Sequence, residues 1–133
     1  MDIANDVFQI DEEYKNNRLE KANKLIELWN RLPDPQVDVL NSFLIISIVV
    51  SVFTDNNLLN EALEWAQKGL PYSGNVNLIG ESEFLVGKAA FACGDYDTAK
   101  KYFTIAYKNS KKRLFRGENP EYLNLVDIAR KKS

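Results

Sequence analysis

Apolar residues recur along this chain at helical rather than strand spacing. Leu25, Leu28, Trp29 and Leu32 form one such stripe, and Leu59, Ala62, Leu63 and Ala66 a second. Ala99, Phe103, Ala106 and Tyr107 form a third, and Tyr122, Leu125, Val126 and Ala129 a fourth. Steps of three and four place each set on one face of an α-helix. No segment alternates apolar and polar residues as a half-buried strand would. The β-branched run "LIISIVVSVF" is long enough to be a fully buried helix, so the segment Val37 to Phe53 reads as one. The pattern predicts an all-α chain of about seven helices.

Punctuation between the stripes supports this reading. "LPDPQVD" offers Asp34 as an N-cap with Pro35 at the first helical position, and "GENPEYL" repeats the arrangement with Asn119 and Pro120. Gly69 and Gly117 mark the ends of the preceding helices. A last amphipathic helix is predicted from Pro120 to about Lys131. The opening stretch "DIANDVFQIDEEYKNN" has a poor apolar stripe and leaves the bounds of the first helix open.

Aligning "EKANKLIELW", "NEALEWAQKGL" and "DTAKKYFTIAY" on Ala22, Ala62 and Ala99 gives spacings of 40 and 37 residues, a degenerate repeat. Within the last unit, "FLVGKAAFACGDYDTAKKYFTIAY" resembles a tetratricopeptide repeat. Gly87 matches the small residue where two helices cross, Gly94, Asp95 and Tyr96 match the turn, and Ala99, Phe103 and Ala106 match the packing positions of the second helix. The middle unit keeps Ala62, Leu63 and Trp65 but has Asn57 at the turn glycine and Gly69 where alanine is usual. The first keeps Ala22, Ile26 and Trp29. The resemblance implies stacked antiparallel helical hairpins, about three degenerate repeats, with a C-terminal capping helix over the last pair. Residues 1–133 are then expected to form a single domain.

Composition adds bounds. A chain of 133 residues with 45% hydrophobic and 27% charged residues has enough apolar material for a core. One cysteine, Cys93, excludes an intramolecular disulfide, and the N-terminus lacks the pattern of a signal peptide, so a cytoplasmic location is expected. Val37 to Phe53 is too short and too interrupted by polar residues to predict a membrane span. The net charge of −2 hides a gradient. Residues 1–38 carry nine acids and five bases, residues 39–95 six and two, and residues 96–133 four and ten. Such asymmetry orients an encounter with a charged partner.

Signals for chemistry are weak. Without histidine there is no ordinary catalytic triad, no histidine zinc site and no imidazole base at neutral pH. Cys93, in "FACGD", reads as a buried packing residue rather than a nucleophile. Asp11, Glu12 and Glu13 are consecutive on a predicted helix and point in different directions, which fits a solvated face better than a paired-carboxylate or metal site. No glycine loop has phosphate-binding spacing. The expectation is a non-enzyme with no catalytic, cofactor-binding or metal-binding residues. "KNSKKRLFR", with Tyr107 and Phe115 close by, is the best candidate for nucleic acid, but basic residues in a helix's last turns are also favoured by the helix dipole. A solvated helix end is the preferred reading, and no nucleic-acid or membrane partner is expected.

A binding surface remains. Matching the hairpins places Ser47, Ser51 and Thr54 within about 60° of one another on the middle unit's first helix. The same face offers Phe84, Lys88 and Phe91 in the last unit, and Asp11 and Tyr14 in the first. Aromatics flanked by charges suit a protein interface, although core packing would equally explain Phe84 and Phe91. A carboxylate clamp for peptide termini needs lysine, asparagine and arginine where Ser47, Ser51, Leu85 and Lys88 stand. The stretch from Phe84 to Val126, with its basic exit, "GENP" and aromatic capping helix, resembles small bacterial tetratricopeptide-like immunity proteins that accompany polymorphic toxins. That resemblance implies a protein partner, a cognate toxin domain, neutralised by occlusion, with the acidic N-terminal two-thirds meeting a basic toxin surface. The alternative is a general scaffold or regulatory module holding a peptide or helix in its groove.

Overall fold

Three of the helix starts are set by short polar side chains. Asn17 accepts from the Glu20 amide at 3.2 Å, Asp95 from the Thr98 amide at 3.2 Å and Asn119 from the Glu121 amide at 3.0 Å, each satisfying a donor that the first turn leaves open. The computed structural model describes residues 2–74 and 78–126. Among them are helices α1 (Ala4–Glu13), α2 (Arg18–Arg31), α3 (Phe43–Asp55), α4 (Leu59–Gln67), α5 (Glu81–Ala92), α6 (Tyr96–Ser110) and α7 (Pro120–Asn124). Short 3-10 turns lie at Gln36–Asp38, Leu70–Tyr72 and Arg113–Phe115. No strand occurs among the described residues, where the only β-type pairing is an isolated bridge between Asp2 and Leu40.

Chain contacts divide the protein into two compact units, Met1–Lys68 and Gly69–Ser133. In the first, α1, α2, α3 and α4 pack in sequence order and α1 also reaches α3. Its core is made of Ile3, Val7, Ala22, Leu25, Trp29, the inner face of α3, Ala62 and Ala66. Trp29 and Trp65 meet edge to face with centroids 5.8 Å apart. Despite its weak stripe, α1 is anchored at its start. Ile3 N–H donates to the Leu40 carbonyl at 3.3 Å, and the Asp2 carboxylate accepts from the Ala4 amide and the Asn41 side chain, both at 2.9 Å.

The second unit is built on the α5–α6 hairpin, with α7 and the Arg113–Phe115 turn packed against it. Gly87 of α5 packs directly against the Phe103 ring of α6. A Cβ there would lie 2.6 Å from two carbons of the Phe103 ring, which is fully buried. Only glycine admits that approach, and the phenyl ring occupies the space a side chain would need.

Three expectations need correction. Pro35 does not open a helix. The Asp34–Pro35 peptide is cis, and Pro35 has extended φ and ψ of −83° and 139° at the cap of a 3-10 turn. That turn is closed by Asp38 N–H on the Pro35 carbonyl at 3.1 Å, and the Ser42 hydroxyl donates to the Gln36 carbonyl at 2.8 Å. Helix α3 therefore starts only at Phe43, and it is buried on one side rather than all round, since Leu44 and Ser51 are exposed. Helix α6 stops at Ser110, before Gly117, with Lys111 at φ 54°. Finally, α7 tightens after Asn124 into shorter-range bonds, Val126 N–H donating to the Leu123 carbonyl at 3.1 Å. The rest of the helix predicted to about Lys131 lies outside the described residues.

Candidate functional site

In the first unit the predicted contact residues are partly engaged in holding helices together. Asp11 Oδ1 accepts from Lys21 Nζ at 2.8 Å across the α1–α2 seam. The lysine is 8% exposed, so the carboxylate is the partner of a nearly buried ammonium and Asp11 is first a structural residue. Glu12 pairs with Lys15 at 3.3 Å and Glu13 is exposed, so the acidic trio diverges. Tyr14 follows the last residue of α1, half-buried, with Lys24 Nζ 6.0 Å from its ring centre.

On α3, Ser47 is half-buried and Ser51 exposed. The Ser51 hydroxyl accepts from Arg18 Nη2 at 3.5 Å, while Arg18 Nη1 pairs with Asp55. Thr54, grouped with the two serines by helical spacing, turns its hydroxyl back onto the Val50 carbonyl at 2.8 Å. The polar stripe of α3 thus consists of Ser47 and Ser51 bordered by an Arg18–Asp55 pair.

In the second unit the aromatic residues predicted to face a partner face other aromatic residues of the same unit. Phe84 is 5% exposed, with ring centroids of Phe115, Phe103 and Tyr122 at 4.9, 5.5 and 6.1 Å. Phe91 sits between Tyr122 at 5.0 Å and Tyr96 at 5.1 Å. Tyr122 also stacks on Phe103 at 4.8 Å. Phe84 is therefore core, and Phe91 is half-covered. Apolar rings seven residues apart on one helix face seek burial, and residues 115 to 122 supply the cover. Tyr122, from the capping helix expected over the last pair, and Phe115, which spacing did not assign to it, organise this face. Their signal was the aromatic content that follows α6. Burial, and then the Glu118 carboxylate, push the Tyr122 hydroxyl pKa above its ordinary value.

Lys88 is the polar member of the group that stays half-exposed. Its ammonium lies 5.2 Å over the Phe84 ring and 3.8 Å from Glu118 Oε2. Cys93 is half-buried after α5 rather than fully buried, and its thiol pKa is raised by desolvation and by the nearby Asp95 charge, opposite to what activates a nucleophile. No cluster of three or more histidine, cysteine or acidic residues that could hold a metal occurs among the described residues. Nor is any described helix long and apolar enough to cross a membrane.

The basic run after α6 is mixed in role. Tyr107 and Phe115, which could have stacked on bases, are 4% and 7% exposed and belong to the core. Arg113 is an anchor, with Nη2 donating to the Ile79 carbonyl at 2.7 Å and to Glu81 at 3.4 Å. A scan of protein-family models, a search of curated proteins and a search of solved structures each find no match to this chain.

Proposed function

We propose that the chain is a tetratricopeptide-like protein-binding protein, and specifically an immunity protein that neutralises a bacterial toxin by covering it. One observation carries the repeat reading: the elbows of two hairpins share the same hydrogen bonds 37 residues apart. Leu58 N–H donates to the Phe53 carbonyl at 2.8 Å, and Asp95 N–H to the Ala90 carbonyl at 3.0 Å. The residue before each donor, Asn57 or Gly94, has positive φ, 61° and 80°. The buried alanines Ala62 and Ala99 follow each elbow at the same distance. Proteins built by repeating such a unit use their exposed helix faces to hold other proteins.

The immunity assignment rests on the resemblance of residues 84–126 and on charge. The first unit carries twelve acids and six bases and the second seven and eleven, so the two halves differ by sign. That division speeds capture of an oppositely patterned toxin, which an immunity protein must reach before the toxin reaches its target. The contact residues are Asp11, Tyr14, Ser47 and Ser51 in the first unit and, in the second, Lys88 with the open edge of Phe91, whose neighbour on α5, Phe84, is core.

Co-expression with the toxin domain encoded beside the gene tests this directly. Restored growth and a co-purifying complex are expected. Growth arrest despite soluble expression of both proteins removes the immunity reading. Capture of a chaperone or secretion component instead favours the general scaffold.

A further inference from the structure

Between Asp97 and Glu118 the sequence holds seven lysines and arginines and not one acid. The structure gathers this run on α6 and the turn that follows it. Lys101 and Lys108 are seven residues apart on α6 and share a face, and Lys111, Lys112 and Arg116 continue from its end, all exposed. Helix-dipole stabilisation accounts for Lys108 in the last turn. It does not account for the residues beyond.

Two observations set this face apart from an ordinary solvated helix end. First, Lys108, Lys111, Lys112 and Arg116 pair with no carboxylate among the described residues. In the first unit, by contrast, Asp11, Glu12, Glu27 and Asp55 each meet a neighbouring base. The charge of the four basic side chains is left open. Second, Lys111 is held at φ 54° and ψ −132°, a region that side-chain-bearing residues rarely adopt and that glycine occupies freely. Its ammonium reaches back to 5.9 Å from the Tyr107 ring centre. A lysine at a position made for glycine keeps a cation on this face at a cost in backbone strain.

We propose that this face, centred on Lys108, Lys111, Lys112 and Arg116, docks an acidic segment of a protein partner. The proposal rests on the protein-binding reading above and names the chemistry of one contact. Nucleic acid fits less well. The neighbouring Tyr107 and Phe115 rings are buried and give bases no platform, and the first unit's net charge of −6 repels a long polyanion. A short acidic segment needs only this face.

The test uses the full chain and a labelled glutamate-rich peptide, with fluorescence anisotropy at about 50 and about 300 mM salt. Binding is expected at the lower salt and should weaken at least about tenfold at the higher. The triple variant Lys108→Glu, Lys112→Glu, Arg116→Glu should lose binding while its circular dichroism is unchanged. Lys111→Gly should raise the melting temperature and weaken binding several-fold, a combination that a purely structural lysine would not produce. Absence of peptide binding, or undiminished binding by the triple variant, overturns the proposal. Tighter binding of duplex DNA or single-stranded RNA reassigns the face to nucleic acid, and a salt-sensitive dimer abolished by the triple variant reassigns it to a second copy of the chain. In the toxin co-expression assay, full rescue by the triple variant removes the docking face and leaves the immunity reading standing. Peptide binding without rescue by the native chain does the reverse.

Discussion

The α3–α4 and α5–α6 hairpins turn their corners alike but fill their interiors differently. Counting 37 residues back from Gly87 and Phe103 reaches Val50 and Ala66, which are likewise buried. One hairpin joins the smallest residue to a large aromatic ring. The other uses a medium and a small side chain. Packing fixes the combined volume more strictly than it fixes which helix supplies it, so two hairpins with a common elbow can carry dissimilar cores. The elbows differ less because their constraint is local. Each needs a residue that tolerates positive φ and a backbone donor aimed at the end of the preceding helix, and both Asn57 and Gly94 meet it.

The largest effect expected from disturbing this comparison is at Phe103. Replacement by alanine empties the centre of an aromatic cluster and should cost about 3–5 kcal/mol, measured by urea unfolding. A loss below about 1 kcal/mol would mean that the cluster collapses into the space. Gly87→Ala should cost about 1–3 kcal/mol because the fully buried ring cannot move aside, and Phe103→Leu in the same chain should recover part of the loss. Simple additivity of the two changes would break the account of the crossing.

Smaller effects sharpen the elbow. Gly94→Ala meets no atom within 4 Å, so its expected cost of about 1 kcal/mol comes from φ alone, whereas Asn57→Gly should stay within about 0.5 kcal/mol of the native stability. Equal losses at the two sites would show that the elbows are not equivalent. The smallest effect is with pH. Hydrogen bonds from the Thr98 hydroxyl and then the Thr98 amide hold the Asp95 carboxyl below its ordinary pKa. Its contribution is therefore present above the unfolded pKa and fades as pH falls through the lowered folded value. Asp95→Asn, which keeps a capping oxygen but does not titrate, should lose less stability than the native chain between about pH 5 and about pH 3. Parallel pH curves for the two proteins would remove Asp95 from the acid response.

Much of the fold could be read without coordinates where neighbours in sequence decide the outcome. Asn119 caps the helix assigned to it, Gly94 and Asp95 stand in the turn assigned to them, and Ala22, Ala62 and Ala99 are buried. Each depends on a side chain and a backbone group a few residues apart, or on one helical stripe. The candidate site was less legible. Spacing placed Phe84, Lys88 and Phe91 on one face of α5 and a capping helix with Tyr122 over the last pair, but could not tell that Phe115 would join it in closing over Phe84. Nor did the acids near Asp11 reveal that one of them holds a nearly buried lysine ten residues on.

Sequence alone determined that this chain is helical, where α6 and α7 begin, and which alanines turn inward, because periodicity and capping act over one or two turns. Tertiary structure decided the late start of α3, the inward fate of Phe84 and the open charge of the Lys108–Arg116 face. Those outcomes depend on which residues, distant along the chain, arrive to cover or neutralise a surface. A helical stripe shows that a face must be covered, and only packing shows by what.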